Sequence, residues 1–293
     1  MKYIIAVSGG PDSMALLNKY KKSIDMVCNV NYNHRSTALR DEKIVRKYCK
    51  ENKLKLKVLN VTKTIYKKYN IKYKNFQSAA RHIRYDFFLT CGKKINNINL
   101  LVAHNYDDFL ETAIMQLRKN SKALFYGIKQ NTFFNGLNIY RPLLNERKID
   151  LQKYCDKQNI PYGIDESNLT DLYERNKIRK EISNMSKKQF ESLVKQINAY
   201  NKKNNQLLES ITSFYNEWKK NDLCVEYIKS IKNIKILYYL IYNFLSENDI
   251  TRISANKIKG MISFILNNNK HKKYRIDCIN SISIKLGKVD LVV

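Results

Sequence analysis

Between Lys2 and Arg118 short apolar runs alternate with amphipathic segments, and this alternation narrows the fold more than any other feature of the chain. Strand-type stretches fall at Lys2–Val7, Asp25–Asn31, Lys55–Val61 and Asn99–Ala103. Helix-type stretches follow each of them, at Asp12–Lys21, Asp41–Asn52, Gln77–Leu89 and Asp107–Arg118. In the second, Ile44, Val45, Tyr48 and Cys49 recur on one helical face. Such repetition builds βαβ units, and so predicts a doubly wound, mostly parallel sheet with helices on both faces. Beyond about Asp150 the alternation fades. Lys148–Asn159, Lys187–Trp218, Ile231–Leu245 and Asn256–Leu266 read as helices, and Asp165–Lys180 as a polar segment bearing both charges. Tyr274–Val293 turns to period two around Gly287-Lys288, as a terminal β-hairpin would. The expectation is an α/β domain over 1–185, then a smaller, mainly helical domain over 186–293 ending in a hairpin.

The first strand runs into VSGGPDSMALL at Val7–Leu17. Gly9 and Gly10 allow positive φ and close backbone approach. Pro11 suits a first helical turn. Asp12 and Ser13 stand where unpaired N–H groups and the helix dipole favour an anion. Ser8 and Ser13 add hydroxyls. A carboxylate beside bare phosphate is repulsive, so Asp12 makes sense with Mg²⁺ between them. A Walker A loop needs a lysine that is absent, and a dinucleotide fingerprint needs a third glycine. A tight, aspartate-capped turn is the bland alternative.

Charge suggests the partner. Lys and Arg number 54 against 26 Asp and Glu, a net charge of +28. A field of that sign attracts polyanions, although Lys- and Asn-rich codon usage gives the same bias. Six cysteines are scattered without a CxxC pair, which fits core residues in a reducing compartment rather than zinc or redox chemistry. No apolar stretch approaches the roughly 20 residues of a membrane span, and no signal peptide opens the chain. A cytoplasmic protein is expected.

Three further stretches carry chemistry. In AHNYDDFLET (Ala103–Thr112), Asp108 and Glu111 share a helix face behind His104 at a strand end; an acidic helix start explains the carboxylates equally well. In QSAARHIRYDFF (Gln77–Phe88), Arg81 and Arg84 share a face, as a bidentate phosphate clamp or a solvated surface. DESNLTDLYERNKIR (Asp165–Arg179), preceded by RPLL at Arg141–Leu144, is a polar turn leading into a basic helix start.

SGGPDS resembles the pyrophosphate loop of the ATP pyrophosphatase (PP-loop) superfamily, whose fold is the doubly wound sheet expected above. The three stretches resemble the AHxxDDxxET, ARxxRY and DxSN…RNxxR motifs of tRNA(Ile)-lysidine synthases. The likeness covers about 1–185; beyond, only the order of helices and hairpin agrees. It implies ATP held by Ser8, Gly9, Gly10, Pro11, Asp12 and Ser13, with Asp12 on Mg²⁺. It implies Asp12, Asp108, Glu111 and Arg84 as catalytic residues, Asp108 and Glu111 positioning the amino group of free lysine or a metal. Arg81, His34, His104, Arg175 and Arg179 would contact substrate or tRNA. Two places depart from the pattern: NYNHRSTALRDE (Asn31–Glu42) follows it only at His34 and Arg35, and Lys122 replaces a glycine after Arg118. The implied reaction joins lysine to C2 of the wobble cytidine of a CAU-anticodon tRNA(Ile) through an adenylated cytidine. Basic helices at Lys187-Lys188, Lys202-Lys203 and Lys219-Lys220 would hold tRNA phosphates. A PP-loop tRNA thiolase and a non-catalytic RNA-binding protein are the rival readings.

Overall fold

The computed structural model describes residues 3–33, 37–73, 75–92, 99–119, 123–134, 136–164, 174–248, 250, 253–268 and 273–292. It divides into two compact units, Met1–Asn198 and Ala199–Val293.

The first unit begins β1 (Tyr3–Ala6), α1 (Pro11–Tyr20), β2 (Ile24–Asn31), α2 (Ala38–Glu51), β3 (Leu56–Asn60), α3 (Lys63–Tyr73) and α4 (Phe76–Gly92). It continues β4 (Asn99–Leu101), α5 (Tyr106–Arg118), β5 (Asn131–Phe134), β6 (Leu137–Tyr140), α6 (Lys148–Lys157) and α7 (Glu174–Asn184). The sheet order is β3-β2-β1-β4-β6-β5. Every neighbouring pair is parallel except β5 and β6. The mostly parallel α/β sheet expected from the alternation is therefore present.

Strand alternation sends successive residues to opposite layers. Ile5, Val27 and Leu101 pack with Met14 and Leu17 of α1, Val45 of α2 and Leu151 of α6. Ile4, Cys28 and Leu100 pack on the other face with Tyr85, Phe88 and Cys91 of α4. Each fully buried Ile or Leu contributes about 1.5–3 kcal/mol, so both layers hold the sheet ends rigidly. The strand order changes direction between β1 and β4, and an open α/β sheet binds its ligand outside the carboxyl ends at such a point.

Two elements escape the periodicity. Helix α3 has a weak apolar face, and β5–β6 is a short hairpin with an exposed outer face. The Asn-Gly pair at 135–136 is its local signal, with Gly136 at φ 76°.

Helix α8 (Lys187–Lys203) contains the point of division. The expected single helix over Lys187–Trp218 is two, because α9 (Asn205–Lys220) starts anew after Asn204. The Asn204 side-chain amide donates to the Tyr200 carbonyl at 3.0 Å and competes with the backbone there.

The second unit adds α10 (Val225–Ser230), α11 (Ile234–Glu247), α12 (Ala255–Asn267), β7 (Lys273–Arg275), β8 (Ser281–Lys285) and β9 (Lys288–Val292). Trp218 is its largest fully buried side chain, and its indole N–H donates to the Cys224 carbonyl at 3.0 Å. The terminal hairpin β8–β9 turns at Leu286 and Gly287, both at positive φ, and β7 makes it a three-stranded antiparallel sheet. Among the described residues no helix is long and apolar enough to cross a membrane.

Candidate active site

A cleft of about 970 Å³ opens at the switch point. Its walls come from the β1–α1 loop, the end of β2, α4, the residues after β4 and the start of α7.

The loop is built around Ser13. Its Oγ accepts from the N–H groups of Ser8 at 3.2 Å and Gly9 at 3.1 Å, and donates to the Gly10 carbonyl at 2.9 Å. Gly9 sits at φ 95°, and a Cβ there would lie 2.7 Å from the Asp41 carbonyl of α2. Gly10 is extended, φ −77° and ψ 166°, with nothing nearer than 3.8 Å to its would-be Cβ. Pro11 opens α1 as expected. Gly163 N–H ties the far side of the loop, donating to the Gly9 carbonyl at 2.9 Å.

Asp12 lies against the start of α5. Asn105 hydrogen-bonds its carboxylate, yet Asp12 Oδ1 is buried with no hydrogen-bond partner among the described residues. Burial pushes its pKa up to about 6, partly countered by Lys148 and reinforced by Asp108. A buried carboxylate oxygen without a donor suits a cation ligand. No cluster of three His, Cys, Asp or Glu side chains forms a metal cage among the described residues. Mg²⁺ is commonly held by one or two carboxylates plus substrate phosphates and water, and Asp12 fits that arrangement.

The two aspartates of the acidic motif divide. Asp108 completes a capping box: its Oδ2 accepts from Asn105 N–H and Asn105 Oδ1 accepts from Asp108 N–H, each at 3.0 Å. Asp107 turns away, accepting from the Arg147 guanidinium at 3.1 Å and from Lys148 N–H at 2.8 Å. Arg147 in turn covers the Phe190 ring at 3.6 Å. Adjacent aspartates in sequence thus do separate jobs.

Glu111 is buried, 4 % exposed, one helical turn on. Arg175 Nε and Arg179 Nε each donate to it at 2.8 Å, and Arg175 reaches Asp108 at 3.6 Å. Both arginines have a partner inside the protein. Arg81 and Arg84 differ: among the described residues neither has a carboxylate partner. Arg81 stacks over Tyr85 and Phe134 at 4.8 and 4.6 Å, and both arginines face the cleft. Unpaired guanidiniums beside a phosphate loop suit an anion clamp.

His104 lines the cleft beside Arg141, a residue to which the motifs assign no role. Arg141 Nε donates to His104 Nδ1 at 3.0 Å. Burial, then Arg141, Arg175, Arg84 and Arg81, drive the His104 pKa down to about 3. The signal in sequence is an arginine directly after a strand, inside an apolar stretch. His34 and Asp165–Asn168 lie outside the described residues. Cys28 meets Cys91 in the core; that hydrogen bond, then burial, push the Cys28 thiol up, which leaves it protonated and poorly nucleophilic.

Comparison with known proteins gives the family. A PP-loop domain model matches residues 1–186. A tRNA(Ile)-lysidine synthase of Ureaplasma parvum is 48 % identical over 276 residues, covering 94 % of this chain and 82 % of the relative. That of Malacoplasma penetrans is 43 % identical, covering 98 % and 97 %; that of Mycoplasma pneumoniae is 37 % identical, covering 99 % and 98 %. Among solved structures, a U34-tRNA thiolase of Methanococcus maripaludis superposes with TM-score 0.54 at 17 % identity, over 71 % of this chain and 73 % of that one, a likeness of fold alone. A prebuilt pyrophosphate loop facing an acidic helix start, on a chain this similar along most of its length, places the protein in the tRNA(Ile)-lysidine synthase family of ATP-dependent PP-loop ligases.

Proposed function

We propose that the chain ligates free lysine to C2 of the wobble cytidine, position 34, of a CAU-anticodon tRNA(Ile), by way of an adenylated cytidine. The reading rests on one observation above all. The Ser8–Ser13 loop and the Asp12 carboxylate line one cleft with Arg81, Arg84 and Arg175, and Arg175 links that wall to Asp108 and Glu111 behind it. A bare phosphate sensor has no use for acidic groups there; a metal-assisted transfer followed by attack of an amine does.

In this reading Ser8–Ser13 seats the β- and γ-phosphates, and the first-turn N–H groups of α1 offset the charge that grows on departing pyrophosphate. Asp12 would hold Mg²⁺, which would supply charge screening for the phosphates and the leaving group. Arg84, with Arg81 beside it, steadies the phosphates. The cytidine O2 forms a bond to the α-phosphorus as the bond to the β-phosphate oxygen breaks. The lysine ε-amine then bonds to C2, and O2 departs within AMP. Asp108 is the acceptor for the lysine ammonium, with Glu111 behind it through Arg175. The target base leaves the stack to reach the cleft. Residues 186–293, with lysines on α8 and α9, bind tRNA backbone, and His34 and Arg179 are further candidates for contact with tRNA.

The test is incorporation of radiolabelled lysine into CAU-anticodon tRNA(Ile). Label must require ATP and Mg²⁺. Sulfur transfer without lysine incorporation would favour a thiolase; binding without either would leave an RNA-binding protein.

A further inference from the structure

Arg141 is 5 % exposed, and among the described residues it has no carboxylate partner. Its Nη1 donates to the Lys129 carbonyl and to Thr132 Oγ1, both at 2.9 Å, which locks the guanidinium under the β5–β6 hairpin. Its Nε donates to His104 Nδ1 at 3.0 Å. A guanidinium only donates. His104 Nδ1 must therefore be the ring's lone-pair nitrogen, and the neutral ring must carry its proton on Nε2.

We propose that Arg141 is a positioning residue that holds His104 as the Nε2–H tautomer, making His104 a fixed, neutral hydrogen-bond donor to a phosphoryl oxygen in the cleft and not a base. Nδ1 is occupied, and Nε2 already has its proton. The placement suits the role: His104 follows β4, across the switch point from the Ser8–Ser13 loop. Cationic neighbours, Arg141, Arg175, Arg84 and Arg81, oppose imidazolium formation. A neutral donor aimed at developing negative charge keeps its geometry through the reaction, as preorganised donors do. The buried guanidinium behind it gains a counter-charge when the anionic nucleotide binds. The step it serves, nucleotidyl transfer, rests on the function proposed above.

Long-range ¹H–¹⁵N spectra of the full-length, nucleotide-free protein read the tautomer directly, with His104→Gln identifying the signals. The expected result is Nε2–H, without titration between about pH 5 and 8. Arg141→Met should free Nδ1 and let His104 populate the Nδ1–H tautomer, and lower kcat for pyrophosphate release roughly 10²-fold, with the KM for ATP nearly unchanged. Thr132→Val removes one Arg141 bond and spares His104; it should keep both tautomer and kcat. An Nδ1–H or mixed tautomer in the parent overturns the proposal, as does Arg141→Met with parental kcat. Loss equal in Thr132→Val and Arg141→Met also overturns it, because support of the hairpin would then be the cause. A parent that releases no pyrophosphate refutes the function reading instead, and the tautomer, read without substrate, tells the two failures apart.

Discussion

Adjacent glycines in the Ser8–Ser13 loop should respond to the same substitution in opposite ways. Gly9→Ala places a Cβ 2.7 Å from the Asp41 carbonyl oxygen and 2.9 Å from Asp41 Cβ, at a backbone φ of 95°. The positive φ costs an alanine roughly 1–2 kcal/mol. The contact is with helix backbone, which cannot swing aside, and overpacking of this kind costs roughly 1–3 kcal/mol. A total near 3 kcal/mol corresponds to a fall in Tm of about 6–12 °C for a unit of this size. Gly10→Ala meets nothing within 3.8 Å and keeps an ordinary extended conformation, φ −77°. Its Tm should stay within about 2 °C of the parent or rise slightly, since alanine restricts the unfolded chain. Its methyl would stand in the cleft, so ATP binding by calorimetry should weaken by at least about tenfold. The pair separates what the fold needs from what the ligand needs. Gly9→Ala with parental Tm, or Gly10→Ala with parental Tm and parental ATP affinity, would refute the reasoning.

Other substitutions probe the acidic groups. Asp12 carries a folded-state pKa raised from 3.8 to about 6, so the folded chain keeps a proton that the unfolded chain releases in that window. Stability falls as pH rises through it. Asp12→Asn should therefore stabilise the metal-free protein by on the order of 1–3 kcal/mol at about pH 7.5, and by less near pH 4.5, in urea unfolding, while abolishing Mg²⁺-dependent pyrophosphate release. Glu111→Gln strips the shared partner from Arg175 and Arg179; with both arginines about a third or more exposed, a loss of about 2 kcal/mol is expected, together with a raised KM for lysine. Asp107→Asn should lower Tm by a few degrees and spare lysine incorporation, because Asp107 is bound to Arg147 and Lys148. Asp108→Asn should show the reverse: little change in Tm and a large loss of incorporation. Equal behaviour of the two asparagine variants would contradict the division of labour between them.

Local physics made much of this protein readable in one dimension. Period-two runs and helical spacing determined the βαβ order, because a strand or amphipathic helix must bury one face whatever its neighbours are. The glycines, proline and serines of VSGGPDS determined a phosphate-type loop, since positive φ and first-turn N–H groups are properties of a few consecutive residues. Weak or short patterns hid the rest: α3 has little apolar face, β5 and β6 span four residues each, and the break at Asn204 depends on one side chain competing with its own helix. Partner choice was decided only in three dimensions. The capping-box position of Asp108 is local, but the fold alone gives Asp107 its Arg147 partner and sets Asp108 beside Asp12. Glu111 reads as a substrate ligand until α7 brings Arg175 and Arg179 against it. Arg141 and His104 stand on β6 and β4 ends that become neighbours only when the strands pair. An electrostatic partner is set by distance in space, and the folded sheet, not spacing along the chain, sets that distance.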